Sequence, residues 1–518
     1  MVVKQKWEKI EKWVSRYGIW IVLVVLAIYY GIRMWTLDPW YDELYTYYSF
    51  ISRGPIYAGI HWPVPNNHMG YSVAGGFLNY LGNSTIGLRG AAFLASLGNV
   101  YLIYRFAGYF WNNLLALISC LLFAGAFLIN YLAIQGRGYS FATFWLLVSV
   151  HCLYQICVKE KEKLWLYCLF GFSFIIGLYT ITSSVYWVLP VCFTGGLYLL
   201  LEKKYKSLGK LIFASVLAAV GTFFVYSMVW LAIGSNLLSK TVDSGYYGVY
   251  QVKIIVQNPF LALTTGMEYM LATPYIQSKD RGLVVRQFFD WSATLFQQFY
   301  SGLGLGLVLL FFLLGLLGIG IAVWSKKQNQ KEGLFLGLFL AVFVFAYPCF
   351  MIGQSVQPYF RVLSFLAFVL AIGVTCGIAI LNRKMQLPFL QGIFLIFVCL
   401  LVIGKLASTG YRIPLADRES RIKEIWQEAG IKDRATSICY MDDYQKYVLK
   451  FFWDSEPEER YIGEAEFVLL PKEIEQKEYL AKDWPILYTY EEVDWDQLYH
   501  GYELIEESDS YKLFQKGN

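Results

Sequence analysis

About eleven apolar stretches recur before residue 408, centred near Val24, Ser96, Leu122, Leu147, Ser173, Leu189, Val220, Leu310, Leu340, Leu370 and Val398. Runs of about 17 to 25 such residues are long enough for a helix to cross a bilayer. With 57% hydrophobic and 16% charged residues, against about 25% charged in soluble domains, the chain reads as an integral membrane protein. The first run, Ile19 to Tyr30, continues through Gly31 into Trp35 without a small-residue cleavage site, so it is expected to remain as an anchor.

Lysines mark one face. They cluster at Lys4 to Lys12, in "KEKEK" (Lys159 to Lys163), in "EKKYKSLGK" ending at Lys210, in "SKKQNQK" ending at Lys331 and in "NRK" ending at Lys384. An odd number of spans and a cytoplasmic N-terminus place every cluster on the cytoplasmic side. The opposite, extracytoplasmic face then holds the loop from Trp35 to Gly87, the turn near Arg137, the loop from Ser235 to Ser301, the turn from Met351 to Arg361 and everything after about Ser408. From Thr409 onward the net charge is −11, against +16 before it. The expected organisation is therefore a transmembrane domain over 1–408 and an acidic soluble domain over 409–518. Strand-like runs ("ATSICYM", "EFVLLP", "PILYTY") alternate there with a helix-like one ("RESRIKEIWQEAG"), which predicts a small α/β or α+β unit.

Several classes are disfavoured. Of the nine cysteines only Cys439 lies in a polar region, which is neither a disulfide framework nor a zinc pattern. No short repeat supports a solenoid, and no nucleic-acid partner is expected. No acid falls in the middle of a span, whereas ion-coupled transporters keep ionisable groups there. Chemistry is accordingly expected at the outer surface, among membrane lipids.

The segment "WTLDPWYDELYTYYSF" (Trp35 to Phe50) sets Asp38, Asp42 and Glu43 just after the first span. Outward positions also carry arginines, including Arg33, Arg53, Arg89, Arg137, Arg281, Arg286, Arg361 and Arg412, and arginine is the better fork for a phosphate. Arg137 in "YLAIQGRGYSF" and Arg361 in "QSVQPYFRVLSF" occupy short turns, at the depth of a lipid phosphate. A carboxylate facing several cations fits transfer of a sugar from a lipid phosphate to a hydroxyl: the base takes the acceptor's proton and the cations hold the departing phosphate. A phosphate leaves without protonation, so the second carboxylic acid of a glycosidase is not required. Taken alone, the Asp-Glu pair equally suits interfacial acids solvated in an aromatic belt.

In "HWPVPNNHMGYSVAGGFLNYLG", Asn67, His61 and His68 suit either a polar turn or contacts to an acceptor, and a divalent metal held by His68 with Asp42 or Glu43 is left open. The aromatic segments "SGYYGVY" and "FFDWSATLFQQFY" are expected as helices lying on the membrane surface.

"YDELYT", the long stretch "NNHMGYSVAGGFLNYLGNSTIGLRGAAFLASLGNVYLIYRFAG" and "AIQGRGYSFATFWLL" together resemble the GT-C superfamily of polyprenyl-phosphate-sugar glycosyltransferases. The similarity is to the bacterial branch related to protein O-mannosyltransferases and lipid A aminoarabinose transferases. It is best over about the first 150 residues and returns at "QPYFRVLSFLAFVLAIG". The resemblance implies an all-α polytopic membrane protein of GT-C type with amphipathic helices in the first outer loop. It further implies Asp42 as catalytic base with Glu43 as its acidic companion, and donor-phosphate contacts at Arg137 and Arg361. Tyr139, His68, Asn67 and Arg53 complete the expected substrate-binding set, with a polyprenyl-phosphate-sugar donor and an extracytoplasmic acceptor as partners. Two positions depart from the family pattern: Tyr139 and Ser140 stand where many relatives carry a second acid, and "NNHMGY" replaces a His-Pro-Pro-like element.

Two other functions compete. A flippase for lipid-linked sugars also uses outer arginines but requires broken mid-membrane helices, for which Gly302, Gly304, Gly306, Gly315 and Gly318 are candidates unless they serve close packing. A catalytically silent lipid-binding scaffold is the other.

Overall fold

The computed structural model describes residues 2–61, 67–233, 276–277, 281–385, 390–409, 417–431, 436–477 and 486–517. The chain forms two compact units. One joins Met1–Trp35 to Arg53–Tyr411, and the other joins Thr36–Ser52 to Arg412–Asn518.

The first unit is helical: α1 (Val2–Thr36), α3 (Pro55–Ile60), α4 (Met69–Asn79), α5 (Ser84–Ala107), α6 (Asn113–Ala124), α7 (Phe127–Leu132), α8 (Tyr139–Cys157), α9 (Leu164–Thr180), α10 (Val185–Leu201), α11 (Tyr205–Ile233), α12 (Arg281–Gln297), α13 (Gly304–Lys327), α14 (Lys331–Gln354), α15 (Leu366–Met385) and α16 (Leu390–Thr409). Among the described residues, eight helices are long and apolar enough to cross a membrane: α1, α5, α8, α10, α11, α13, α14 and α15. Three shorter apolar helices, α6, α9 and Gln391–Ala407 within α16, coincide with the remaining sequence-predicted runs. The protein is thus a multi-pass membrane protein.

The run near Leu122 is short for a local reason. Gly125 and Ala126 break it into α6 and α7; the carbonyl of Ala124 accepts a hydrogen bond from Asn130 Nδ2 at 2.7 Å, and the same Nδ2 reaches Ala126 O at 3.2 Å. The amides that open α7 are met by the backbone after α12, with Phe127 N donating to Phe299 O at 2.9 Å and Leu128 N to Gln298 O at 2.8 Å. Every backbone group exposed by the break therefore matters, because lipid offers none of these partners.

Ion pairs join the loops at one end of the bundle. Lys159 meets Glu332 at 2.8 Å, Lys210 meets Glu162 at 2.8 Å, Lys326 meets Glu202 at 2.7 Å, and Glu160 is shared by Lys204 and Lys331. The lysine clusters between α8 and α9, α10 and α11, and α13 and α14 consequently share one face. Glycines bring α13 and α14 together: a Cβ on Gly318 would lie 2.8 Å from Gly337 O, and one on Gly337 would lie 2.5 Å from Ala322 N. Gly315 and Gly318 thus serve close packing within an unbroken helix.

Between α1 and α5 the chain forms short helices: α2 (Tyr41–Ser49) of the second unit, then α3 and α4. Of "FFDWSATLFQQFY", Phe288 to Gln297 is helical and forms the second half of α12, and "SGYYGVY" lies outside the described residues.

The second unit is a mixed five-stranded sheet in the order β4-β3-β5-β7-β6. Its strands are β3 (Ser437–Cys439), β4 (Glu458–Glu459), β5 (Phe467–Pro471), β6 (Tyr502–Glu507) and β7 (Tyr511–Lys516), while β1 (Ile276–Gln277) and β2 (Val356–Gln357) pair in the first unit. β3 runs parallel to β4 and β5, and β7 runs antiparallel to β5 and β6. The period of two along β5 sends Phe467 and Leu469 to one face and Val468 and Leu470 to the other, and both faces are covered. The first face carries α17 (Asp417–Glu428), α18 (Asp443–Trp453) and also α2.

Candidate functional site

The sequence-predicted residues fall into two groups, one in each unit. In the first unit, His68, Arg137, Tyr139 and Arg361 converge, although they come from three separate segments. Asn67 builds the loop that presents His68: its Nδ2 donates to Ala58 O at 2.9 Å and His61 O at 2.7 Å, and its Oδ1 accepts from Ser72 Oγ at 2.7 Å. With both its amide hydrogens and its carbonyl engaged, Asn67 acts on the site through His68.

His68 is buried and sits over the turn that opens α8. Gly138 N donates to its Nδ1 at 2.9 Å, so Nδ1 carries the lone pair. Burial, followed by the charges of Arg137 and Arg361, holds the imidazole well below the usual histidine range. In the neutral ring the proton therefore sits on Nε2. That atom lies 3.3 Å from Arg137 Nη2, which is also a donor. An anionic oxygen placed between them accepts from both at once. A guanidinium so close also disfavours a cation at Nε2, and among the described residues no three His, Cys, Asp or Glu side chains gather as a metal site.

Gly138 is part of this geometry. A Cβ there would lie 2.6 Å from Thr180 Cγ2 and 3.2 Å from His68 Nδ1, so a side chain would push the imidazole off the amide that fixes its tautomer. Arg137 is only 2% exposed and immediately precedes the N-terminus of the 19-residue helix α8, whose dipole favours an anion at this place. Tyr139 stands edge-on to His68 at 5.0 Å. Its ring also faces the Arg361 guanidinium at 5.8 Å, while Tyr359 faces the same guanidinium at 5.0 Å. Arg53 is exposed and lies apart in its contacts: its Nη1 donates to Tyr57 Oη at 2.8 Å and its guanidinium rests on that ring.

No family model matches the sequence, and no curated protein matches it. Among solved structures, ArnT from Cupriavidus metallidurans in the apo state superposes with a TM-score of 0.51 at 13% identity, over 96% of this chain and 98% of that one. The chain has the GT-C fold. ArnT bound to undecaprenyl phosphate aligns at a TM-score of 0.49, 12% identity and the same coverage. The Archaeoglobus fulgidus oligosaccharyltransferase in complex with Zn and sulfate aligns at 0.47 and 14% identity, over 96% of this chain and 73% of that one.

In this chain the acidic pair lies in the second unit, on α2. Asp42 is half-buried, and its backbone carbonyl accepts from Thr46 Oγ1 at 2.7 Å. Glu43 is fully buried and folds back to accept the Trp40 amide at 2.9 Å, so one of its oxygens closes the start of the helix. Sequence reasoning missed Gly138 and Tyr359 in the cationic cluster. The Gly-Arg-Gly spacing was the available signal for the first. Nothing in the local sequence distinguishes Tyr359 from the many other tyrosines.

Proposed function

We propose that the protein transfers a sugar from a polyprenyl-phosphate-linked donor to the hydroxyl of an extracytoplasmic acceptor, with inversion at the anomeric carbon. The observation that carries this reading is the convergence of the His68 Nε2–H with the Arg137 guanidinium at the head of α8, beside Arg361. Arg137 and Arg361 hold the donor phosphate, the neutral His68 adds a hydrogen-bond donor, and Tyr139 orients both His68 and Arg361. As the sugar–phosphate bond breaks, negative charge grows on the phosphate oxygens, where fixed donors stabilise it most. Asp42 takes the proton from the attacking hydroxyl, and Glu43 keeps the helix that carries Asp42 closed at its start. That ArnT, whose fold this chain shares, has been solved with undecaprenyl phosphate makes this lipid the first ligand to offer. Under this reading the N-terminus and the lysine-rich face are cytoplasmic, and residues 409–518 form an extracytoplasmic domain.

The test is to reconstitute the protein in nanodiscs, offer undecaprenyl-phosphate-linked mannose, glucose, galactose and aminoarabinose together with an extract of envelope glycans, lipids and proteins that supplies acceptor hydroxyls, and follow release of undecaprenyl phosphate that depends on the extract. Asp42→Asn keeps the size of the side chain and removes the base, so it is expected to abolish release while leaving undecaprenyl phosphate binding intact. Full turnover by Asp42→Asn would place the base elsewhere.

A further inference from the structure

The acidic helix is a structural member of the C-terminal unit, and this gives that unit a catalytic consequence. We infer that the C-terminal domain is the mount of α2, with Tyr444 and Lys423 as positioning residues for Asp42. The inference rests on the reading of Asp42 as the base.

A nine-residue helix such as α2 is too short to hold its shape alone, because nucleation costs more than a few hydrogen bonds return. Its stability has to come from packing, and the core that buries Tyr41 and Leu44 is otherwise built from residues far along the chain, from Ile422 onward. Tyr41 and Leu44 are buried in one core with Ile422, Trp426, Tyr444, Leu449 and Phe467, and Tyr45 and Tyr48 lie against it. Positions 41, 44, 45 and 48 form a single stripe at helical spacing. Along that stripe Tyr48 stacks on Tyr447 with centroids 5.2 Å apart and an interplanar angle of 16°, and Tyr41 meets Tyr444 edge-on at 5.9 Å. Burial, followed by the charge of Asp443, raises the Tyr41 hydroxyl above its usual range, which keeps that core residue neutral.

The entry to the helix is held separately. Tyr444 Oη donates to Pro39 O at 2.5 Å in a buried bond, and Lys423 Nζ meets Asp38 Oδ1 at 2.8 Å while lying 4.3 Å from the Phe452 ring. Asp38 and Pro39 lie just before α2, and the stripe lies along it. Anchoring both the entry and one face fixes the rotation and the translation of the helix, and therefore the direction of Asp42 at the edge of the stripe. A base displaced by about 1 Å loses much of its efficiency, so residues that touch no substrate here govern the rate.

The test uses the full chain in nanodiscs, with whichever of the four undecaprenyl-phosphate-linked sugars the wild type turns over. Tyr444→Phe removes one hydrogen bond, and Lys423→Asp, Asp38→Lys and their combination reverse and then restore the ion pair. Tyr444→Phe is expected to lower kcat about fivefold, the effect of one neutral hydrogen bond, with KM for the donor unchanged. Hydrogen exchange of the amides in residues 40–50 should quicken by a similar factor. Each single charge reversal should lower kcat, and the swapped pair should return it to within about twofold of wild type. Unchanged kcat in Tyr444→Phe, or a swapped pair no better than either single variant, overturns the inference. Asp42→Asn, measured alongside, separates the two failures. An inactive Asp42→Asn with a fully active Tyr444→Phe removes only the mount, whereas an active Asp42→Asn removes the base and the mount together.

Discussion

Replacing Arg137 tests the proposed phosphate site most directly. Its side chain is 2% exposed, so its interaction with an anion is poorly screened and falls in the range of hydrogen bonds to charged groups, about 1.5–3 kcal/mol. Loss of that interaction in Arg137→Ala corresponds to a roughly 10- to 150-fold rise in the Kd for undecaprenyl phosphate. Arg137→Lys keeps the charge but loses the planar fork, and an intermediate rise of about three- to tenfold is expected. Native mass spectrometry of the nanodisc-embedded protein, titrated with undecaprenyl phosphate, measures both. Burial also predicts that the wild-type affinity changes little between 50 and 500 mM salt, since screening acts mainly on exposed charges. Arg53→Ala is the control: its guanidinium is exposed and rests on Tyr57, and its Kd should stay within about twofold of wild type. A Kd for Arg137→Ala within threefold of wild type would refute the assignment of this cluster to the lipid phosphate.

Other perturbations follow from the same contacts. His68 is held well below the usual histidine range by burial and by Arg137 and Arg361. The unfolded chain therefore takes up a proton near pH 6.5 that the folded chain refuses, and stability is full above about pH 6.5 and falls by up to about 1.4 kcal/mol per pH unit below it. Thermal melts between pH 5 and 8 should show His68→Gln losing part of this slope, and an identical slope in the variant would contradict it. Gly337→Ala places a Cβ 2.5 Å from Ala322 N; with backbone on the other side α13 and α14 must separate, at about 1–3 kcal/mol. Gly320→Ala, with nothing within 4 Å, should leave the melting temperature unchanged or slightly raised. Asp442→Ala removes the cap of α18, where Oδ1 accepts from Tyr444 N at 2.6 Å and Oδ2 from Tyr511 Oη at 3.2 Å. A loss of about 1–2 kcal/mol is expected from the cap alone, read as faster hydrogen exchange in α18.

Hydropathy made the bundle legible because each span carries its own signal within about 20 residues. The break at Gly125 was not legible, since its partners Phe299 and Gln298 lie far along the chain. The polar cluster was half visible. Arg137 and Arg361 stand out as arginines in short turns, but the tautomer of His68 depends on a hydrogen bond from Gly138, 70 residues away. The membership of α2 was missed altogether, although its signal was present. Tyr41, Leu44, Tyr45 and Tyr48 recur at the spacing of a helix face, and that pattern reads equally well as an aromatic belt against lipid. Only the core it completes tells the two apart: a belt residue ends in water and headgroups, whereas Tyr41 and Leu44 are enclosed by residues 422–513.

The flippase alternative differs from glycosyl transfer in where the fold has to move. Alternating access rocks one part of a bundle against another around broken helices at mid-membrane. Here α13 runs unbroken through Gly304, Gly306, Gly315 and Gly318, and the latter two press against α14 closely enough to exclude a Cβ. The one span broken among the described residues, at Gly125, is closed by Asn130 and by the backbone after α12, so its freed carbonyls and amides are already spent on structure. The acids follow the same logic. A transporter places its carboxylates inside the bundle, where protonation can drive the cycle, while Asp42 and Glu43 sit on a helix whose core belongs to the C-terminal unit. A carboxylate mounted on that unit suits a fixed base better than a moving gate, and a fixed base is what the proposed proton removal from an acceptor hydroxyl requires.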